Sequence, residues 1–409
     1  MQSVEPADEV EATATVRAAA AADLAMMVRG GGTRQDWAAP PRRLDLVIDT
    51  RRMAGVVRHA AGDLIVVVRA GTPMRELATA LAPAGQQLAI DTPTAEGAGE
   101  TQAGGAGEPH HGGAGEPTVG GTVATNAAGP RRMAYGTPRD LLIGVRMVRP
   151  DGVLARSGGT VVKNVAGYDL GKLLTGSYGT LGMITECVFR LHPLPQAAAY
   201  VVARAPEATT AGRCVAALLL ARVVPVALEI DIPASGGVRI AVGVEGVAQG
   251  VRERAAVAAR LLREEPTIGE VTIAPEPPGW WAAYPWRVGD TGLKLTSTLS
   301  RVANLVIGVR EAAARNGVPV VVRGSAGTGV LYAGIPSAAA PDAVAGSIAE
   351  IRAATTVAGG YAIVLTAPDA VRRRVDLWGP VPGLDLMRRV KARFDPAGRF
   401  APGRFVGGI

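Results

Sequence analysis

The chain has 409 residues, 48% hydrophobic, 19% charged and 4% aromatic, with a net charge of +7. That length suits two domains with a sizeable buried core, and no apolar run is long enough for a membrane helix. The positive charge is nearly all arginine, scattered rather than interleaved with aromatics, so no nucleic-acid face is expected. An acidic partner surface or, at most, peripheral contact with anionic headgroups remains compatible with the sign. The acidic start MQSVEPADEVEA lacks a basic segment followed by an apolar one, so a cytoplasmic protein is expected. Two cysteines, Cys187 and Cys214, are too few for an iron–sulfur cluster within this chain, and no disulfide framework is implied.

Residues 6–22, with Pro6 near the start, acids in the first turn and alanine beyond, read as a helix. The apolar run 24–28 feeds Gly30, Gly31, Gly32 and Thr33. A strand running into a glycine triplet exposes successive N–H groups, which suits a pyrophosphate, although the same letters also describe a plain surface loop. Strands are expected at 44–50 and 64–68, then a helix from Pro73 that Gly85 stops. Leu88 to Pro93 lead onward to an oddity. Residues 95–118 are three copies of an eight-residue unit, AEGAGETQ, AGGAGEPH and HGGAGEPT. Such a segment buries too little apolar surface to offset its ordering entropy and reads as a disordered insertion. His110 and His111 within it have no nearby Cys or Asp, so no metal site is expected.

Residues 118–193 carry three glycine-rich turns: Gly120-Gly121, Gly158-Gly159, and Gly176-Ser177-Tyr178-Gly179-Thr180-Leu181-Gly182. LLIGVRMVRPDGVLAR between them reads as a hairpin turning at Pro150-Asp151-Gly152. So many glycines imply backbone at positive φ, or backbone lying against something flat or charged. This stretch resembles the second half of the FAD-binding domain of the vanillyl-alcohol oxidase (PCMH-type) flavoproteins. GGTVVKNVAGYDLGKLLTGSYGTLGMITE within it is similar to the GlcE-type FAD-binding subunits of bacterial glycolate oxidase.

The resemblance implies FAD, placed by a first phosphate loop at Gly30, Gly31, Gly32 and Thr33. It implies that Pro93, Gly120, Gly121, Thr125, Asn126 and Gly129 line the flavin side, and that Gly179, Thr180, Gly182 and Ile184 bring backbone against it. Lys163, Asn164, Tyr168 and Asp169 form the set specific to the subfamily, either touching the ligand or making a salt-bridged turn. Some relatives attach the flavin through a histidine in the first loop. Here GGGTRQDW has neither His nor Cys, so non-covalent FAD is expected.

After Pro195 the pattern changes. Residues 197–274 alternate as βαββαβ, and a looser second round spans 293–365. The implied fold is α+β: a two-subdomain PCMH-type FAD-binding domain over 1–195, a ferredoxin-like antiparallel-sheet cap over 196–380, and a tail over 381–409 packing back on the FAD domain. GWWAAYPWR, residues 279–287, reads as a plug between domains, or alternatively as a wall beside the flavin or a docking site for a partner. The ending LMRRVKARFDPAGRFAPGRF resembles that of flavin 2-hydroxy-acid dehydrogenases, with Ala401 where relatives carry Asn.

Oxidising a 2-hydroxy acid requires cations for the carboxylate and a base for the hydroxyl. Of the four histidines, none follows His192, and among Glu229, Asp231, Tyr284 and Tyr332 the sequence singles out no base. The catalytic residues are therefore open. The resemblance implies an FAD subunit of a glycolate-type oxidase, working with a second, GlcD-type flavin subunit and an iron–sulfur, GlcF-type subunit. A self-sufficient hydroxy-acid or alcohol dehydrogenase and a flavin-poor scaffold are the alternatives. No GxGxxG follows a first strand, which argues against a nicotinamide enzyme.

Overall fold

In a computed structural model the chain is described over residues 2–96, 115–160 and 167–409. Lys163, Asn164, His110, His111 and residues 97–114 of the repeat lie outside the described residues. The first helix runs Glu9–Ala21. Asp8 caps it, its carboxylate accepting from the N–H groups of Val10 and Glu11. It buries Ala12, Val16 and Ala19 against a small parallel sheet in which Leu46–Asp49 lies between Gln2–Val4 and Met26–Arg29.

Beside this sheet stands a five-stranded antiparallel sheet, ordered Val56–Ala60, Ile65–Arg69, Met183–Arg190, Leu142–Val148, Leu154–Gly158. The last two form the hairpin, with Gly152 at φ 73° in its turn. Gly120 and Gly121 are not in a turn, as the sequence reading had it, but in a helix, Val119–Thr125. The Thr118 hydroxyl accepts from the Gly121 N–H, and burial of Val119 and Val123 supplies the packing that the glycines do not.

The ends of the repeat are placed. Thr94–Glu96 pairs in parallel with Ala283–Arg287 of the second half of the chain, and Glu116 bridges to Arg75.

From residue 197 onward a single eight-stranded antiparallel sheet collects both βαββαβ rounds. The rounds meet where Ala227–Ile232 pairs with Val321–Ser325. Strand alternation divides the faces. Leu228, Ile230, Val322, Leu331, Leu293 and Leu295 enter the core shared with the helices. The opposite side chains form a polar stripe across the sheet: Asp231 opposite Arg323, Arg323 opposite Tyr332, and Tyr332 opposite Lys294, with Glu229 opposite Ser325 beside it. That stripe faces the first half of the chain.

Candidate functional site: a glycine-lined cleft and a neighbouring acid–base cavity

One hollow lies within the first half of the chain beside Arg404 of the tail, and a second lies where that half meets the sheet. The first is a cleft of about 730 Å³. Gly30, Gly31, Gly32 and Thr33 line one wall, directly after the strand Met26–Arg29. Among the described residues, no acceptor takes the N–H of any of these four. Four free amides in a row are a donor set for phosphate oxygens. Gly31 packs so closely that an added Cβ would stand 1.7 Å from the Glu116 carbonyl oxygen. Gly32, at φ 76°, has open space where its Cβ would stand.

Gly120, Gly121 and Thr125, from the short helix, form a second wall, and Gly179, Gly182 and Ile184 a third. The third wall is docked by backbone bonds from Gly176 to Val123 and from Tyr178 to Ala124. Lys391 then ties it to the tail: its ammonium donates to the carbonyls of Thr180 (2.7 Å) and Phe400 (3.0 Å) and to Asp395 (2.7 Å).

The sequence reading did not include Arg34, Tyr178 and Arg404 among the site residues, yet they line this cleft. Arg404 donates to the Gln35 carbonyl at 2.9 Å, so the tail holds the first loop in place. Arg34 follows GGGT directly, which was the available signal; nothing local marked Arg404.

The other expected residues fall elsewhere. Pro93 and Gly129 line the second hollow. Asn126 ends the short helix in the left-handed region, φ 48°. Thr180 is buried, its hydroxyl donating to the Ser177 carbonyl. Tyr168 is 91% exposed, and Asp169 caps the helix Leu170–Leu174 while pairing with Lys172.

The second hollow, about 350 Å³, is roofed by Pro93, Gly129 and Arg132 and floored by the polar stripe. Arg34 separates it from the cleft, donating to the Pro93 carbonyl at 3.0 Å. Arg132 donates from Nε to the Gly129 carbonyl and from Nη2 to the Tyr332 hydroxyl (2.9 Å), and no carboxylate among the described residues pairs with it. Three buried polar atoms of the lining, Glu229 Oε1, Tyr284 OH and Ser325 Oγ, have no hydrogen-bond partner. Orphans at this density mark a place built to meet something polar.

Burial pushes the Glu229 carboxyl up to about 7, against the pull of Arg132 and the nearby Ser325 hydroxyl. Burial also pushes the Tyr284 phenol up. For Tyr332 burial acts in the same direction, but Arg132 and Lys294 outweigh it and leave its phenol below the usual range. Asp231 has a different role: Arg323 (2.7 Å) and Arg239 (2.6 Å) both pair with it.

The aromatic segment 279–287 contributes to the cavity. Trp280 and Tyr284 line the cavity, and Tyr284 stacks on Trp286 at 4.5 Å and meets Trp37 edge-on at 5.5 Å. Among the described residues no cluster of His, Cys, Asp and Glu could hold a metal, and no helix is long and apolar enough to cross a membrane.

Comparison with known proteins names a cofactor. Residues 2–115 and 100–158 match the family described as FAD binding domain, and residues 378–405 match FAD linked oxidases, C-terminal domain. The glycolate oxidase subunit GlcE of Escherichia coli is 39% identical over 37% of this chain and 38% of its own length. The glycolate oxidase subunit GlcD of Bacillus subtilis is 27% identical over 68% of this chain and 66% of its own. A D-lactate dehydrogenase of Archaeoglobus fulgidus is 30% identical over 55% and 46%.

The fold is shared along nearly the whole chain with 4-ethylphenol oxidase from Gulosibacter chungangensis (TM-score 0.72, 13% identity, 98% of this chain and 88% of that one). It is shared likewise with an alkyldihydroxyacetonephosphate synthase (TM-score 0.69, 17% identity, 98% and 77%). The free amides and open glycine positions of the cleft suit the group these matches name. Residues 2–158 thus match an FAD binding domain and residues 378–405 the C-terminal domain of FAD linked oxidases, and FAD is the cofactor of this chain.

Proposed function

We propose that this chain is an FAD-linked oxidoreductase acting on a small 2-hydroxy acid, serving as the flavin subunit of a cytoplasmic, glycolate-type oxidase assembly. In it the amides of Gly30, Gly31, Gly32 and Thr33 take the FAD diphosphate, and Arg34 and Arg404 add positive charge beside it. Gly120, Gly121, Thr125, Gly179, Gly182 and Ile184 provide the walls, and with no His or Cys among the described residues of either lining the FAD is held non-covalently. Bound FAD supplies a two-electron acceptor. The chain itself positions the acid, keeps bulk water from it, and offers groups that hold or move its hydroxyl proton.

The single observation that carries this reading is the glycine-lined cleft abutting, across Arg34 and Pro93, a cavity with one uncompensated cation and three orphaned polar atoms. The likeness to GlcE and GlcD supports work alongside other subunits, and the proposal adds to them an iron–sulfur subunit that takes the electrons onward. The cavity favours a second reading, in which this chain oxidises the acid unaided.

Visible absorption of the purified chain, before and after anaerobic glycolate, tests both. Yellow protein that bleaches means oxidation by this chain alone. Yellow protein that bleaches only once partner subunits are added supports the assembly. A colourless chain that takes up no FAD would end both readings in favour of a scaffold.

A further inference from the structure

Among the described residues lining the second cavity, one cation and one carboxyl lack an ion-pair partner, and that pattern specifies a ligand. Arg323 is compensated by Asp231, which Arg239 shares, and Arg131 by Asp91 (2.7 Å) and Glu245. Arg132 alone among the lining arginines has only neutral partners, the Gly129 carbonyl and the Tyr332 hydroxyl, and these leave its Nη1 for the cavity. Glu229, the one carboxyl among the described lining residues, is 5% exposed, and its Oε1 has no hydrogen-bond partner.

We infer that this cavity is a proton-coupled anion site: a small monocarboxylate bearing an adjacent hydroxyl or carbonyl seats its carboxylate on Arg132 and Tyr332, its second oxygen beside Glu229 and Tyr284, and enters with Glu229 in the acid form.

The inference deepens the proposed function and rests on it for the identity of the ligand, while the charge argument stands on the cavity alone. With Glu229 ionised, its charge offsets that of Arg132, and an incoming carboxylate brings an unbalanced negative charge into a buried site. With Glu229 protonated, Arg132 and the ligand balance, and Glu229 becomes a donor to the ligand's second oxygen.

Among the described residues, the groups facing Glu229 are Arg132 and Asp91 above, Ser325 and Arg323 on the neighbouring strand, and Tyr284 and Tyr332 at the ends. Arg132 and Ser325 draw its carboxyl down, Asp91 pushes it up, and burial dominates, leaving it at about 7. Lys294 reaches the site through Tyr332, whose phenol it holds down together with Arg132.

The test is calorimetric titration of the full FAD-loaded chain with oxamate, a monoanion that cannot be oxidised, from pH 5.5 to 8.5 in buffers of different ionisation enthalpy. We expect a flat affinity below about pH 7, weakening about tenfold per unit above it, with close to one proton taken up per anion at the alkaline end. Glu229→Gln should bind oxamate with no pH slope and no proton uptake. Arg132→Met should lose binding at every pH while keeping the FAD absorption band.

Wild-type binding with no pH slope and no proton uptake would overturn the inference, as would failure to bind oxamate at any pH. If Glu229→Gln does not fold, the wild-type proton count decides alone. Bleaching by glycolate combined with pH-independent oxamate binding would sink this inference and leave the oxidoreductase reading standing. Proton-linked oxamate binding to a chain that glycolate never bleaches, with or without partner subunits, would do the reverse.

Discussion

The cleft and the cavity lie side by side and are made by opposite means. The cleft is built from backbone: three glycine-rich segments, each a few residues long, whose N–H groups and missing side chains shape its walls. The cavity is built from side chains delivered by strands far apart in sequence, namely Glu229, Tyr284, Ser325 and Tyr332, under Arg132 from the FAD domain. Backbone recognition suits a large invariant cofactor, because its donors need only a local conformation. Side-chain recognition suits a small ligand whose charge and protonation must be discriminated. The two should therefore respond independently to substitution, and they can be pulled apart.

The largest expected effect falls on the cleft's support. Asp395→Ala leaves the Lys391 ammonium in its buried position without its counter-charge, and also removes the acceptor for the Arg399 and Phe400 N–H groups. Loss of one partner of a buried pair costs roughly 3–5 kcal/mol. Urea unfolding should show a drop of that order, with FAD released earlier than in the parent chain. An unchanged midpoint would mean the tail does not hold the Gly176 to Gly182 segment.

Next is a pH effect confined to the cavity. Burial raises the folded-state carboxyl of Glu229 to about 7, above its unfolded value. The folded chain thus holds this proton more tightly, and the associated stability is complete below the unfolded pKa and lost as pH rises through about 7. Relative to Glu229→Gln, the wild type should lose about 2–3 kcal/mol between pH 5 and pH 8, at about 1.4 kcal/mol per pH unit of the titrating range. Parallel stability curves for the two proteins would contradict the burial of an ionisable Glu229.

A smaller effect should isolate the cleft. Gly31→Ala forces the first loop away from the Glu116 carbonyl. Overpacking of this kind costs about 1–3 kcal/mol, which should appear as roughly 5- to 150-fold weaker FAD retention on dialysis. Oxamate binding should stay near wild type. If both fall together, the two hollows are one cooperative unit.

The smallest effect should isolate the cavity. Tyr332→Phe deletes one neutral partner of Arg132. About 1 kcal/mol, or a several-fold weakening of anion binding, is expected, with the visible spectrum unaltered.

Much of the first domain was legible because its signals are local. Alanine with a capped acidic start makes a helix at Glu9–Ala21, and Pro150-Asp151-Gly152 makes a hairpin. GGGT stands where free amides line a cleft. Two local readings missed. The strand Val56–Ala60 has no fully buried residue and carries no clear alternation, so periodicity could not find it. Gly120-Gly121 looked like a turn because glycine disfavours helix, but the Thr118 cap and the burial of Val119 and Val123 outweigh that preference.

By itself, then, the sequence determined that this chain would make glycine-rich segments and two rounds of alternating strands and helices. A loop's conformation and a strand's two faces are both set within a few residues. Which side chains meet across the sheet was decided only by tertiary structure, and Glu229 and Asp231 show why. They stand two residues apart on one strand, point the same way, and were equal candidates in the sequence. Strand register sets Asp231 opposite Arg323 and within reach of Arg239, and its charge is spent there. The same register sets Glu229 opposite Ser325 with no cation close enough to pair, and it is left buried, orphaned and able to hold a proton.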